Sequence, residues 1–191
     1  MGGGISMSFL NVGIPVTVLE VDQEALDKGI SVIKRNYDIQ VQRGRMSEAE
    51  VDERMSLLSG TTDYQGLSSA DVIIEAVYEN IDVKVETFKK IEAVAKPGAI
   101  LASNTSGLDV DKMAEATARP DAVIGLHFFS PANVMKLLEV VRGENTSKET
   151  IATSMKLGRT LNKIAVLSGN APGFIGNRML SGYTQQASEI I

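Results

Sequence analysis

The chain has 191 residues, 43% of them hydrophobic, with 19 Lys and Arg against 24 Asp and Glu and a formal net charge of −5. Zero cysteines exclude a disulfide scaffold, a thiol nucleophile and thiolate metal sites, and a single histidine excludes a multi-histidine metal centre, so no metal is expected. The acidic balance argues against nucleic acid as a partner, and no apolar run approaches the roughly 20 residues that a membrane-spanning helix needs. With no basic-then-apolar leader at the N-terminus, the expectation is a soluble intracellular protein with no membrane partner.

In chain order, Gly2-Gly3-Gly4 opens a helical stripe of Ile5, Phe9 and Val12, and Ile14–Val21 reads as a β-branched strand ending at Asp22. Leu26, Ile30, Ile33, Tyr37 and Val41 recur at helical spacing, with Gly44 as terminator. Ser47 and Glu50 carry a capping-box signature for a second helix through Val51, Met55 and Leu58. These two helices form an inserted hairpin over about 23–58. Asp71–Val77 is a strand without polar alternation, as expected where both faces are covered. A helix striped by Val85, Phe88, Ile91 and Ala95 follows, then a buried strand Ala99–Ala102 running into Ser103-Asn104-Thr105-Ser106. A short helix precedes Pro120, and strand Ala122–Leu126 delivers His127. Strand Leu137–Val141, a helix over 147–162, strand Ile164–Leu167 and an amphipathic segment with Ile175, Met179, Tyr183 and Ala187 complete the chain.

Alternating strands and helices with doubly covered strands imply an α/β fold with an open, mostly parallel sheet, whose ligands bind at the carboxyl ends of the strands. Polar residues collect there: Asp22, Glu75 to Asn80, Ser103 to Ser106, and His127. Glycines at a helix start let a backbone approach a pyrophosphate, and Asp22, 20 residues beyond Gly2, can accept from a ribose hydroxyl. A flexible tail and a solvated aspartate explain the same residues. His127 is either a general base or a satisfied core histidine. Glu139 favours the first: if the strands are antiparallel about the Ser130–Asn133 turn, the two residues face each other, and an unpaired carboxylate between apolar neighbours would be costly. Ser103–Ser106 suits a substrate oxygen or an ordinary helix cap and turn. Lys28, Lys34, Arg35, Arg43 and Arg45 read first as a solvated helix face, with an anionic ligand as the alternative.

The segments Met1–Ile5, Leu19–Asp22, Ile74–Asn80, Ser103–Ser106, Gly125–Pro131, Met135–Val141 and Gly173–Arg178 together resemble L-3-hydroxyacyl-CoA dehydrogenase, in the form found in multifunctional fatty-acid β-oxidation enzymes. The resemblance runs over essentially the whole chain in order, and His-Phe-Phe-Ser-Pro and Gly-Phe-Ile-Gly-Asn-Arg are its most specific elements. It implies a Rossmann-like doubly wound domain over 1–170, with 171–191 as the first helix of a C-terminal helical domain. It implies NAD-dependent oxidation of an L-3-hydroxyacyl-CoA, with His127 as acid/base, Glu139 orienting it, and Ser106 and Asn177 near the substrate oxygen. Gly2, Gly3, Asp22, Glu79, Lys84 and Ser106 correspond to cofactor-binding positions, and Asp22 favours NAD over NADP. The basic hairpin would help hold CoA, and a homodimer or larger assembly is implied when the domain is complete. The location expected is cytoplasmic, or peroxisomal or mitochondrial in a eukaryote.

The family's first strand, its earlier glycines and most of its helical domain have no counterpart here. The expectation is therefore a sheet lacking one central strand, in a polypeptide that is marginal, self-associates or receives that strand from elsewhere. Two alternatives to the enzyme are a non-catalytic fragment or binding relative that keeps the fold, and a dehydrogenase of a small hydroxy acid without CoA.

Overall fold

Asp22, Ser47, Asn80, Asp109 and Ser147 each accept a backbone N–H at the start of a helix, and these caps divide the chain into its elements. The computed structural model describes residues 1–190. The order is α1 (Gly2–Leu10), β1 (Val16–Leu19), α2 (Gln23–Gln42), α3 (Glu48–Ser56), β2 (Leu58–Thr61), β3 (Val72–Glu75), α4 (Ile81–Val94), β4 (Ile100–Ser103), α5 (Val110–Ala114), β5 (Val123–Phe128), β6 (Leu137–Arg142), α6 (Lys148–Thr160), β7 (Ile164–Gly169) and α7 (Gly176–Ile190). No helix among the described residues is long and apolar enough to cross a membrane.

The chain forms two compact units, Met1–Ser69 with Phe129–Lys136, and Ala70–Phe128 with Leu137 onward. In the first, Met7, Leu10, Ile33, Tyr37 and Val51 make the core. The helix pair α2 and α3 forms as expected, and the capping box at Ser47 and Glu50 is complete. Leu58 is not the end of α3: it starts β2, a strand the periodicity does not reveal, which pairs in parallel with β1 from Val16↔Leu58 to Leu19↔Thr61. Four residues of Leu-Ser-Gly-Thr carry too little apolar signal to be read as a strand. Helix α1 is buried more widely than its predicted stripe, because Ser6 and Ser8 turn their hydroxyls back onto the carbonyls of Gly2 and Gly4. Segment 129–136 packs on it closely: a Cβ at Gly4 would lie 3.2 Å from the Ala132 nitrogen, and the Ser8 hydroxyl donates to the Ala132 carbonyl.

The second unit is a five-stranded sheet in the order β3-β4-β5-β6-β7. All neighbours are parallel except β5 and β6, and the inner strands β4 and β5 are buried throughout. This is the expected α/β architecture with a mostly parallel sheet. The strands nevertheless fall into two hydrogen-bonded sheets rather than one, and among the described residues β1 and β3 each pair on one side only. Helix α4 also corrects its predicted stripe: Lys84, Phe88 and Ile91 are buried, while Val85 is only half-buried.

Strand β5 crosses β6 so closely that a Cβ on Gly125 would lie 2.8 Å from the Val141 Cβ. Gly125→Ala should therefore force β5 and β6 apart, at a cost of about 1–3 kcal/mol. A lower midpoint in urea unfolding is the check.

Candidate active site

Because β6 reverses direction beside β5, His127 lies directly opposite Glu139 in the ladder. Two side chains so placed point to the same face and meet without adjustment of the backbone. The His127 Nδ1 and a Glu139 oxygen are 2.7 Å apart, with His127 5% and Glu139 1% exposed. An ionised carboxylate only accepts, so the proton of this bond sits on Nδ1. The other Glu139 oxygen accepts the N–H groups of Ile175 and Gly176 at 3.0 and 2.8 Å, at the entry to α7. The turn leading there holds Gly173 at φ 72° and Phe174 at φ 51°, and the Phe174 ring lies 5.8 Å from the imidazole, tilted by 60°. Glu139 thus holds imidazole and helix entry together.

A second polar group runs along the carboxyl ends of β3 and β4. Glu79 accepts on one oxygen from the Thr105 hydroxyl at 2.6 Å, the Ser106 N–H at 2.8 Å and the Ser106 hydroxyl at 3.1 Å. Its other oxygen is 3.4 Å from the Lys84 ammonium. Burial pushes the Glu79 carboxyl up, but these hydroxyls, the Ser106 N–H and the Lys84 charge outweigh it and hold it below the usual carboxylate range. The Asn177 amide donates to the Ser106 carbonyl at 3.0 Å, so Ser106, Glu79 and Asn177 are joined by hydrogen bonds and Lys84 joins them through its ion pair with Glu79. Asn104 does not cap a helix; its side-chain oxygen accepts from the Phe128 N–H, tying β5 beside His127 to the Ser103–Ser106 loop.

The predicted pyrophosphate and ribose positions belong to the first unit. Helix α1 begins at Gly2 with no side-chain cap and no acidic residue in its first turn, and a Cβ at Gly2 would meet nothing within 4 Å. The N–H groups at the positive end of a helix suit a pyrophosphate, and the absence of a Cβ at Gly2 leaves room for a close approach. Asp22 follows β1, is exposed, and caps α2 by accepting from the Ala25 N–H. Gly3 packs on Ile33, and a Cβ there would meet it at 3.4 Å. Lys28, Lys34, Arg35, Arg43 and Arg45 are all exposed, and Lys34 pairs with Asp38.

Sequence reasoning did not single out Glu75, Ser103 or Thr105 as individual members of the site. Glu75 and Ser103 are register partners at the ends of β3 and β4, with the Ser103 hydroxyl donating to Glu75. The available signal was an acidic residue closing an otherwise apolar strand, Val-Ile-Ile-Glu. Nothing in the sequence marks the Ile175 and Gly176 N–H groups as partners of Glu139.

Residues 1–171 match the family model described as "3-hydroxyacyl-CoA dehydrogenase, NAD binding domain". The peroxisomal bifunctional enzyme of Danio rerio is 44% identical over 191 residues, covering 100% of this chain and 26% of that protein. A 3-hydroxybutyryl-CoA dehydrogenase of Clostridioides difficile is 40% identical over 180 residues, covering 94% of this chain and 64% of that protein. The crystal structure of (S)-3-hydroxybutyryl-CoA dehydrogenase from Ralstonia eutropha superposes with a TM-score of 0.95 at 35% identity, covering 98% of this chain and 66% of that one. The chain thus spans about a quarter of the length of the multifunctional relatives it matches.

A lowered folded-state carboxyl gives stability that is present above the ordinary glutamate value of 4.5 and is lost as pH falls through the lower folded value. Glu79→Gln should accordingly flatten the loss of thermal stability below pH 4.5, and melting temperatures recorded down the acid limb test it.

Proposed function

Because this chain belongs to the family of 3-hydroxyacyl-CoA dehydrogenase NAD binding domains, we propose that it carries the cofactor-binding part and the reacting side chains of an enzyme interconverting L-3-hydroxyacyl-CoA and 3-ketoacyl-CoA in fatty-acid β-oxidation. The observation that carries this reading is the buried His127–Glu139 pair at the end of β5. NAD is the cofactor that the family's NAD binding domain indicates.

Glu139 accepts the Nδ1 proton, so the lone pair that can take a proton resides on Nε2. Nε2 removes the proton of the substrate hydroxyl, and the Glu139 carboxylate stabilises the imidazolium that results. NAD, when bound, would supply the hydride acceptor for the carbon that bears this hydroxyl. Ser106 donates its hydroxyl proton to Glu79, which turns its oxygen lone pairs toward a substrate hydroxyl, while Asn177 anchors the Ser106 backbone. Gly2 and Gly3 at the start of α1 would hold the pyrophosphate, and Asp22 would accept from the adenosine ribose, a pairing that disfavours a 2′-phosphate. Glu79, with Lys84 behind it, serves the nicotinamide end.

In this reading residues 1–170 form the cofactor-binding domain and 171–191 lead into a helical domain. The exposed basic residues of α2 and the turn after it meet the phosphates of the CoA thioester, and the complete protein is a homodimer or larger assembly. The reaction belongs to the cytoplasm of a bacterial host, or in a eukaryote to the peroxisome, as in the Danio rerio relative's name, or the mitochondrion.

A protein carrying this chain should consume NADH when acetoacetyl-CoA is added, and His127→Gln should lower kcat on the order of 100- to 10,000-fold. Turnover that survives His127→Gln overturns the assignment of the base. Equal turnover of the free 3-oxo acid favours the small-acid dehydrogenase instead, and no turnover in the complete protein favours a binding relative.

A further inference from the structure

Lys84 is the fourth residue of α4 and is 0% exposed. A cation there is doubly disfavoured, since burial strips its water and the first turn of a helix is the positive end of the helix dipole. Its neighbours on the same buried stripe are Phe88 and Ile91, so an apolar side chain would fill the position at lower cost. What Lys84 has instead is a complete set of partners. Its ammonium donates to both oxygens of Glu75, each at 2.9 Å, and forms an ion pair with Glu79 at 3.4 Å.

Glu75 is equally over-determined. Its side chain is 1% exposed, and besides Lys84 it accepts from the Ser103 hydroxyl and from the Val77 N–H. The ammonium is thereby pinned from below, and its remaining direction points at Glu79, 39% exposed, whose other oxygen holds Thr105 and Ser106. Polar partners thus lead in a continuous line from Glu75 in the interior to Ser106 at the surface.

We propose that Glu75 and Lys84 are a buried positioning pair that fixes the Glu79 carboxylate and, through it, the orientation of the Ser106 hydroxyl. The proposal rests on the reading of Ser106 as a substrate-facing residue. Neither Glu75 nor Lys84 touches substrate in this arrangement; they act through Glu79. A rigid, ionised Glu79 keeps Ser106 a donor toward the protein and an acceptor toward the reacting oxygen. Without the pair, Glu79 would sit half-exposed with one oxygen unanchored.

The test is the double substitution Glu75→Gln/Lys84→Met, which removes both charges at near-constant volume, keeps an amide oxygen as acceptor for the Val77 N–H and turns the amide NH2 toward the Ser103 hydroxyl, which can accept. Replacing a buried ion pair in this way is often neutral for stability, so the variant should fold. In it, the Glu79 carboxyl carbon, assigned by comparison with Glu79→Gln, should titrate at higher pH by NMR. The Ser106 amide should exchange with solvent roughly tenfold faster, as for the weakening of one hydrogen bond. A folded variant with both signals unchanged would show a merely structural pair and overturn the proposal. Should the variant not fold, the unsubstituted protein decides: the 15Nζ resonance of Lys84 should shift as Glu79 titrates, and a resonance that stays flat through that titration overturns the proposal as well. None of the three measurements needs turnover, so the positioning role and the dehydrogenase reading fail independently.

Discussion

Glu139 is a carboxylate placed where almost no water reaches it, and the geometry of the second unit answers that constraint. Both of its oxygens are occupied, one by the His127 ring and the other by two N–H groups at the entry to α7. A buried charge with fewer partners would be strongly destabilising, so β5, β6 and the α7 entry are held in register together. The left-handed backbone at Gly173 and Phe174 belongs to the same arrangement. Phe174 is a non-glycine residue at φ 51°, a conformation that persists only where surrounding contacts enforce it. The N–H groups it delivers to Glu139 and the ring it lays beside His127 are those contacts.

The antiparallel step between β5 and β6 makes this possible. A parallel neighbour must start again from the opposite end of the strand, after a crossover connection, so a short turn cannot bring residues 12 apart face to face in that way. Here segment 129–136 reverses the chain and is itself anchored on α1 through Gly4 and Ser8. The reversal also explains why Gly125 has no side chain, since Val141 occupies that space.

The other polar group has a different electrostatic character. One ammonium lies between two carboxylates, so Glu75, Lys84 and Glu79 together are net negative, and the excess charge faces the exposed end at Ser106. The donors around Glu79 hold it ionised despite its partial burial. Each member of such a cluster is held in one geometry by several partners.

Much of this was legible in the residues because it is local. Ser47 and Glu50 announce their capping box three residues apart, the buried runs of β4 and β5 need no partner to be recognised, and His127 and Glu139 lie equally far from the Asn133 turn. The sequence by itself therefore determined the α/β alternation and the placement of polar residues at strand ends, and it put a carboxylate opposite the histidine on the condition, met only in the fold, that β5 and β6 run antiparallel. Tertiary structure alone decided the rest. Strand β2 exists because β1 supplies its hydrogen bonds, Lys84 enters the core because Glu75 waits there nine residues earlier, and the second oxygen of Glu139 meets N–H groups 36 and 37 residues away. A backbone N–H looks the same in every sequence, and a lysine on a helix reads as exposed until its counter-charge is located. Such pairings become definite only when distant segments are brought into contact, because desolvation and directional hydrogen bonding act between neighbours in space.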